Sequence, residues 1–559
     1  MTKKERWQLL TIWFFLGLLP LFMRPLWEPD EARYAEIPRE MLALGDWLTP
    51  RLNYVLYFEK PPLQYWLSAA SMRLFGLQPF AARLPLALAT LITLWCAWRL
   101  SRRMGARQPV WGAFMAATAL LAYVCGQILT LDALFSALQV LSFVAALEAV
   151  AARFDDRPAL GWTALAFGSL ALAMLTKGLA APVLVGVILL GSLPWAWKHP
   201  RLRAAVLATC FDPLGWLLFL GLAAPWFLLV NRANPGHADF FFIHEHFARF
   251  TSHVHARQGS KNPFLDKFYF LGFLSLGVIP WLSASWIGLR RALGFMARPA
   301  GPQLEQAPLH RWGVAATVLA CAVPLLFYSV SGSKLPPYIL PVIAPLLALA
   351  CAFERPGEEP AALARAGREM LGLGLLFLLV VPFVLKDKSG VAWVLATGIA
   401  FAGMGLWALR PKGLTGRRWM AGVGAVLLLL SLAAAEAAGP GKDVSALVRR
   451  APKEAQWISC GNLFQGIPFL TGRRMTVVAG TGELAYGRDH LSAGERDRWF
   501  REDPRDLTAT GERLRAEDPS RPVWALVDKN SWKDDFGPVQ REPWEVRGTS
   551  PSCLLLRLR

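Results

Sequence analysis

The sequence predicts an α-helical polytopic membrane protein of about thirteen spans with a small α/β domain at its C-terminal end. Composition is the first reason: of 559 residues, 54% are hydrophobic and 18% charged, where a soluble chain carries about 25% charged residues. The mean hydropathy is +0.35. Long apolar runs are the second reason, among them 7–22, 179–197 and 420–432. A bilayer core takes roughly 20 apolar residues per helix. The third is the placement of basic residues in alternate loops, described below. The first apolar run is followed by acidic sequence with no small-residue cleavage site, so it reads as a span and not as a cleaved signal peptide.

In chain order the spans are expected near 7–27, 80–100, 109–125, 128–150, 160–175, 179–197 and 210–230, then 268–289, 312–330, 338–353, 370–385, 391–409 and 419–438. With Lys3, Lys4 and Arg6 inside, one set of alternate loops collects Arg102, Arg103 and Arg107, then Arg153 and Arg157, then Lys198, Arg201 and Arg203. Arg290, Arg291 and Arg298, then Arg355, Arg365 and Arg368, then Arg410, Lys412, Arg417 and Arg418 continue the same side. This is the positive-inside pattern. It accounts for the formal net charge of +19, together with attraction to anionic lipid, so no nucleic-acid partner is implied.

The same parity places residues 28–78, 231–267 and the tail from 439 outside. The division is thus a membrane domain, 1–438, and an external soluble domain, 439–559. In the tail, 475–478 and 523–527 read as strands and 495–508 as turn or helix. Cys96, Cys125, Cys210, Cys321 and Cys351 lie in spans as small buried hydrophobes. Cys460 and Cys553 share the external tail, where a disulfide between them is one of two outcomes.

The chemistry concentrates in the first external loop, in Glu28-Pro29-Asp30-Glu31-Ala32-Arg33-Tyr34-Ala35-Glu36 and Tyr57-Phe58-Glu59-Lys60-Pro61-Pro62. Carboxylates just outside a span serve as base, metal ligand or amine-binding group; the plain alternative is a solvated loop. The apolar stretch 61–75, with Tyr65 and Trp66, suits an amphipathic helix in the interface, which would hold Glu59 and Lys60 at headgroup height. Asp132, Lys177, Lys334 and Tyr338 fall at corresponding depth. Ionisable groups there are costly and therefore functional candidates; snorkelling is the alternative for the two lysines, and capping or a structural pair for Asp132.

Five of the 8 histidines lie in the second external loop: His237, His244, His246, His253 and His255, with Arg249, Arg257 and Lys261. His244 and His246 flank Glu245, not the i, i+4 spacing of a helical zinc pair. One histidine joins Glu59 around a divalent ion, or the set binds phosphate; the spacing leaves both open.

These elements, with Thr176-Lys177-Gly178 and Lys334-Leu335-Pro336-Pro337-Tyr338-Ile339-Leu340-Pro341, resemble the GT-C membrane glycosyltransferases. Within them the chain is most similar to the 4-amino-4-deoxy-L-arabinose transferases, to which Thr481-Gly482-Glu483-Leu484-Ala485-Tyr486-Gly487 in the tail is also similar; residues 259–266 depart from the aromatic-rich pattern expected there. The resemblance implies a GT-C type fold. It implies an inverting transfer of the amino sugar from undecaprenyl phosphate to a lipid A phosphate at the periplasmic face of a bacterial inner membrane. Polymyxin resistance would follow. On that reading Asp30 is the principal catalytic carboxylate, with Glu31 and Asp132 supporting; Lys60, Arg249, Lys177, Lys334 and Tyr338 meet the lipid phosphate; and Glu59 with His246 is the metal pair, for Zn or Mg. The partners implied are the lipid-linked sugar, lipid A and the bilayer, with the protein a monomer. Two rivals remain: another GT-C enzyme with a protein or glycan acceptor, and a lipid transporter. The transporter is disfavoured by the absence of an internal repeat and by polar groups gathered at one face instead of the midplane.

Overall fold

Proline sets where many of the helices begin. In the computed structural model, which describes residues 1–248, 262–298, 307–384, 390–410 and 416–559, helices open on Pro79, Pro109, Pro200, Pro213 and Pro308. A ring nitrogen costs nothing at a helix N-terminus, where the missing N–H has no partner to lose.

Among the described residues, 8 helices are long and apolar enough to cross a membrane, or up to 9 if the bent pair Tyr269–Gly277 and Leu282–Ala297 is one span. The eight match the expected spans beginning near 80, 128, 160, 210, 312, 370, 391 and 419. The other expected spans are shorter or broken. Lys3–Trp13 passes into a π-helical turn, Phe14–Leu18, and a 3-10 turn, Leu19–Phe22, that contains Pro20. The run 109–125 splits into Pro109–Thr118 and Leu120–Cys125 at Ala119, whose ψ of 124° is extended. That break is paired with another. The Leu120 N–H donates to the Ile279 carbonyl at 3.1 Å, within the 278–281 bend of 113° that interrupts the expected span 268–289. Each discontinuity helps satisfy the backbone the other frees, which a span must achieve without water. The 179–197 and 338–353 segments form the shorter apolar helices Ala180–Ala196 and Pro336–Ala352.

Helix Asp132–Phe154 is the centre of the bundle, with 89% of its apolar window buried; it packs on Pro79–Arg103, Leu160–Lys177 and Leu340–Ala352. Late in the chain, Glu359–Leu379 and Val391–Ala408 run closely together. A Cβ added at Gly374 would lie 2.5 Å from the Ala402 nitrogen, the small-residue contact that lets helices approach in lipid.

At one face of the bundle sit three further pieces. The loop helix Asp30–Leu44 ends at Gly45, in the left-handed region at φ 66°, a standard helix stop. A two-stranded hairpin follows, β1 (Arg51–Leu52) and β2 (Val55–Leu56). The helix Leu63–Phe75 comes next and packs on both the loop helix and Pro79–Arg103.

The tail carries a six-stranded mixed sheet of β3 (Gln456–Cys460), β4 (Thr476–Val478), β5 (Phe500–Arg501), β6 (Val523–Asp528), β7 (Trp544–Thr549) and β8 (Cys553–Leu558), in the order β5-β4-β3-β6-β8-β7. Strands β4, β3 and β6 are the buried parallel centre, and β8 and β7 add antiparallel. The two expected strands are β4 and β6. The segment 495–508 holds a helix, a short strand and a 3-10 turn. Cys460 and Cys553 are free, because β6 separates them: Cys460 pairs with Val527, and Cys553 with Asp528.

Candidate functional site

The loop helix is charged yet buried from Glu31 to Met41. Buried charge survives only when paired, and Glu31, Arg33, Glu36 and Arg39 each have an ionic partner, while Glu40 has a backbone donor. Glu31 accepts from Arg83 Nε and Nη2, both at 2.9 Å, and from Arg24 Nη2 at 2.9 Å. It also takes the backbone N–H groups of Leu129 at 2.8 Å and Trp27 at 3.1 Å. Burial alone would raise its pKa, but the two guanidiniums outweigh it and hold the carboxyl at about 2. Glu36 is gripped by Arg39 at 2.6 and 2.7 Å, and Glu40 accepts the Tyr54 N–H at 2.9 Å. Burial, and for Glu40 also its neighbour Glu36, pushes both carboxyls upward.

Asp30 differs from all of these. It stands at the first helical position with its side chain 58% exposed, ion-paired to the buried Arg33. Arg33 also pairs with Glu483 of the tail and lies over the Tyr34 ring at 5.2 Å. Tyr57, Tyr65 and Tyr34 surround this guanidinium, and burial raises all three phenols. Tyr57 and Tyr65 also feel Glu59, and Tyr34 feels Asp132. Asp30, Arg33, Glu483, Glu59 and Asp132 therefore share one neighbourhood. Within it the Tyr57 and Tyr65 hydroxyls and Arg33 Nε are buried with no hydrogen-bond partner among the described residues.

The lysines ring this neighbourhood, each against a carboxylate. Lys60 Nζ is 2.9 Å from Glu245 and donates to the Glu59 carbonyl at 2.6 Å. Lys177 pairs with Asp132 and lies 4.0 Å from the Tyr338 ring centroid. Lys334 pairs with Asp266 and donates to the Ser331 carbonyl at 2.9 Å. Glu28, one residue before the loop's proline, accepts the Gln465 N–H at 3.2 Å and that of Gly466. Burial raises its pKa to about 8.

The tail motif thus has a physical role. Glu483 reaches Arg33, and Tyr486 packs on Phe58 and Phe240, at centroid distances of 5.7 and 4.2 Å. Gly487 lies so close to β2 that an added Cβ would be 2.4 Å from the Leu56 carbonyl oxygen. Asn53, at the tip of the hairpin, exchanges two 3.0 Å hydrogen bonds with the Met475 backbone. The tail is docked onto the loop that carries Asp30.

Of the residues singled out in the sequence, Asp30, Glu59, Lys60, Asp132, Lys177, Lys334 and Tyr338 gather at this face. Glu31 lies beneath, enclosed by arginines. Arg249 and the His246 side chain lie outside the described residues. His237 is buried among Phe58, Trp226 and Phe241, and burial lowers its pKa to about 4. Among the described residues no group of three His, Cys, Asp or Glu side chains converges to hold a metal ion. The expected pair of Glu59 with His246 lies partly outside the described residues, because the His246 side chain is not among them. Residues that sequence reasoning left without a role are Arg33, Tyr57, Glu245, Asp266 and Glu483. Arg33, Tyr57 and Glu483 stand inside the motifs quoted, Glu245 lies between two of the singled-out histidines, and Asp266 ends the divergent stretch 259–266.

The family model described as dolichyl-phosphate-mannose-protein mannosyltransferase matches residues 59–228. The crystal structure of ArnT from Cupriavidus metallidurans bound to undecaprenyl phosphate superposes with a TM-score of 0.75 at 26% identity, over 100% of this chain and 98% of that one. The fold and these likenesses define a GT-C membrane glycosyltransferase that uses a lipid-linked sugar. The undecaprenyl phosphate-alpha-4-amino-4-deoxy-L-arabinose arabinosyl transferase of Edwardsiella ictaluri is 33% identical over 427 residues, 73% of this chain and 72% of the relative. The Aeromonas hydrophila protein of the same name is 34% identical over 444 residues, 74% and 73% respectively. This chain belongs to the undecaprenyl phosphate-aminoarabinose arabinosyl transferase family.

Proposed function

We propose that this enzyme moves 4-amino-4-deoxy-L-arabinose from undecaprenyl phosphate to a phosphate of lipid A at the periplasmic face of a bacterial inner membrane, and so confers polymyxin resistance. The carrying observation is the contrast at the loop helix: Asp30 is the acid left half-exposed, aimed by a buried Arg33 amid unpartnered hydroxyls. Buried polar atoms without partners call for hydrogen bonds, and a sugar supplies them.

The acceptor phosphate oxygen attacks the anomeric carbon in line. The new bond from that oxygen to the carbon forms as the bond to the carrier phosphate breaks, and undecaprenyl phosphate leaves with the electron pair. The configuration inverts. A phosphate acceptor is already ionised near neutral pH, so Asp30 has little proton to remove. Its work is to orient the acceptor and to stabilise positive charge developing on the sugar. Lys60, with Arg249, neutralises the leaving phosphate; Lys177, Lys334 and Tyr338 line its approach. Asp132 holds Lys177, and Glu31 holds the helix.

The test is transfer by the purified protein in vesicles holding the lipid-linked amino sugar, with lipid A as acceptor and a Ser/Thr peptide as control. Wild type should modify lipid A and leave the peptide unmodified, and Asp30→Asn should modify neither while melting as wild type does. Transfer to the peptide instead would establish a protein acceptor, and full activity of Asp30→Asn would overturn the role given to that carboxylate.

A further inference from the structure

Among the described residues the cations of the site are already matched. Lys177 faces Asp132, Lys334 faces Asp266, and Arg33 is shared by Asp30 and Glu483. The Lys60 side chain is 14% exposed, and Glu245, 2.9 Å away, is 2% exposed. A phosphate monoester approaching Lys60 meets the Glu245 carboxylate already on Nζ, and like charges at close range in a partly dry site repel strongly.

Glu245 sits on the π-helix Asp239–Ala248 of the second external loop. The helix is fixed by aromatic packing: Phe240 on Tyr486 at 4.2 Å, and Phe241 stacked with His237 at 5.8 Å. The carboxylate is therefore delivered to Lys60 by a separate chain segment with its own anchor. A charge-assisted ammonium–carboxylate contact has the same geometry and sign as an ammonium–phosphate contact.

We infer that Glu245 is a built-in stand-in for the lipid phosphate: it holds Lys60 when the carrier phosphate is elsewhere, yields it when the phosphate binds, and reclaims it to expel undecaprenyl phosphate after transfer. This rests on the reading of Lys60 as a phosphate ligand. The consequence is a positioning residue that weakens product binding for the sake of turnover. Removing its charge should leave Lys60 free for the phosphate, so the product binds more tightly and leaves more slowly.

Native mass spectrometry of the purified full-length protein titrated with undecaprenyl phosphate tests this, with undecaprenol as the phosphate-free control. Glu245→Gln should bind undecaprenyl phosphate about tenfold more tightly than wild type, the direction set by removing one repelling charge. Its affinity for undecaprenol should not change, and its kcat and KM should fall together, as slower product release requires. A packing defect would weaken both lipids alike. Glu245→Asp, which keeps the charge but withdraws it from Nζ, decides the matter if the Gln variant does not fold; it should tighten phosphate binding by a smaller factor. Equal or weaker phosphate binding in the folded variant overturns the inference. Failure of wild type to bind undecaprenyl phosphate in the same titration would instead remove the underlying reading, and the inference with it.

Discussion

Asp30 and Glu31 are adjacent acids of the same loop helix, and they should fail in opposite ways. Glu31 is 1% exposed and carries the only carboxylate between Arg24 and Arg83 among the described residues. Glu31→Gln keeps the shape but leaves two buried guanidiniums without a counter-charge. Breaking a buried pair from one side costs about 3–5 kcal/mol. Two cations depend on Glu31, and Arg83 is wholly buried, so the upper half of that range is expected. The variant should show a lowered melting midpoint by intrinsic tryptophan fluorescence in detergent, with reduced yield. Asp30 is 58% exposed with one ion pair, a setting where a contact is worth about 0–1 kcal/mol. Asp30→Asn should melt within experimental scatter of wild type and transfer no sugar. If Glu31→Gln melted like wild type and Asp30→Asn fell by several kcal/mol, the division between structural and chemical carboxylates would be refuted.

Three other outcomes follow from particular contacts. Gly487→Ala forces a Cβ against the Leu56 backbone, where nothing flexible can yield. It should cost about 1–3 kcal/mol, loosen the tail by limited proteolysis, and lower transfer because Glu483 and Tyr486 move with it. Cys460 and Cys553 are both fully buried thiols, so reductant should leave the melting midpoint unchanged, and alkylation should require unfolding. Glu28 has a folded pKa raised by burial to about 8 against an ordinary 4.5. The stability it contributes is present below pH 4.5 and is lost as pH rises through about 8. Tail docking followed by proteolysis should weaken from pH 5 to pH 8.5, and Glu28→Gln should flatten that dependence.

Most of the fold was legible because the bilayer leaves few choices. A segment of apolar residues must be a helix there, so each expected span has a helical counterpart. The breaks were not legible, because their cause is remote. The 109–125 helix divides at Ala119 where the Leu120 N–H finds the Ile279 carbonyl, and nothing within 109–125 announces a partner so far along the chain. The tail was half legible for a related reason. Strands β4 and β6 are runs of mostly apolar, β-branched or bulky residues with every residue but Asp528 buried, whereas the equally buried β3 carries Gln456 and Ser459 and so shows no apolar run. β7 lies at the edge with half-exposed residues, and its alternation is weaker.

The site divides along the same line. Charge at membrane depth is costly, so Lys60, Asp132, Lys177 and Lys334 could be singled out one by one. Which charge meets which could not, since Lys60 reaches Glu245 and Arg33 reaches Glu483 across 185 and 450 residues of sequence. That long reach explains why Asp30 and Glu31 look alike in the sequence and differ in the structure. Glu31 falls on the side of the helix facing Arg24 and Arg83, whereas Asp30 falls on the side where Arg33 is held by the tail. The direction of Asp30 is therefore set by a domain more than four hundred residues away. The tail acts through Glu483 as one wall of the site, and its removal should abolish transfer even though every loop carboxylate remains.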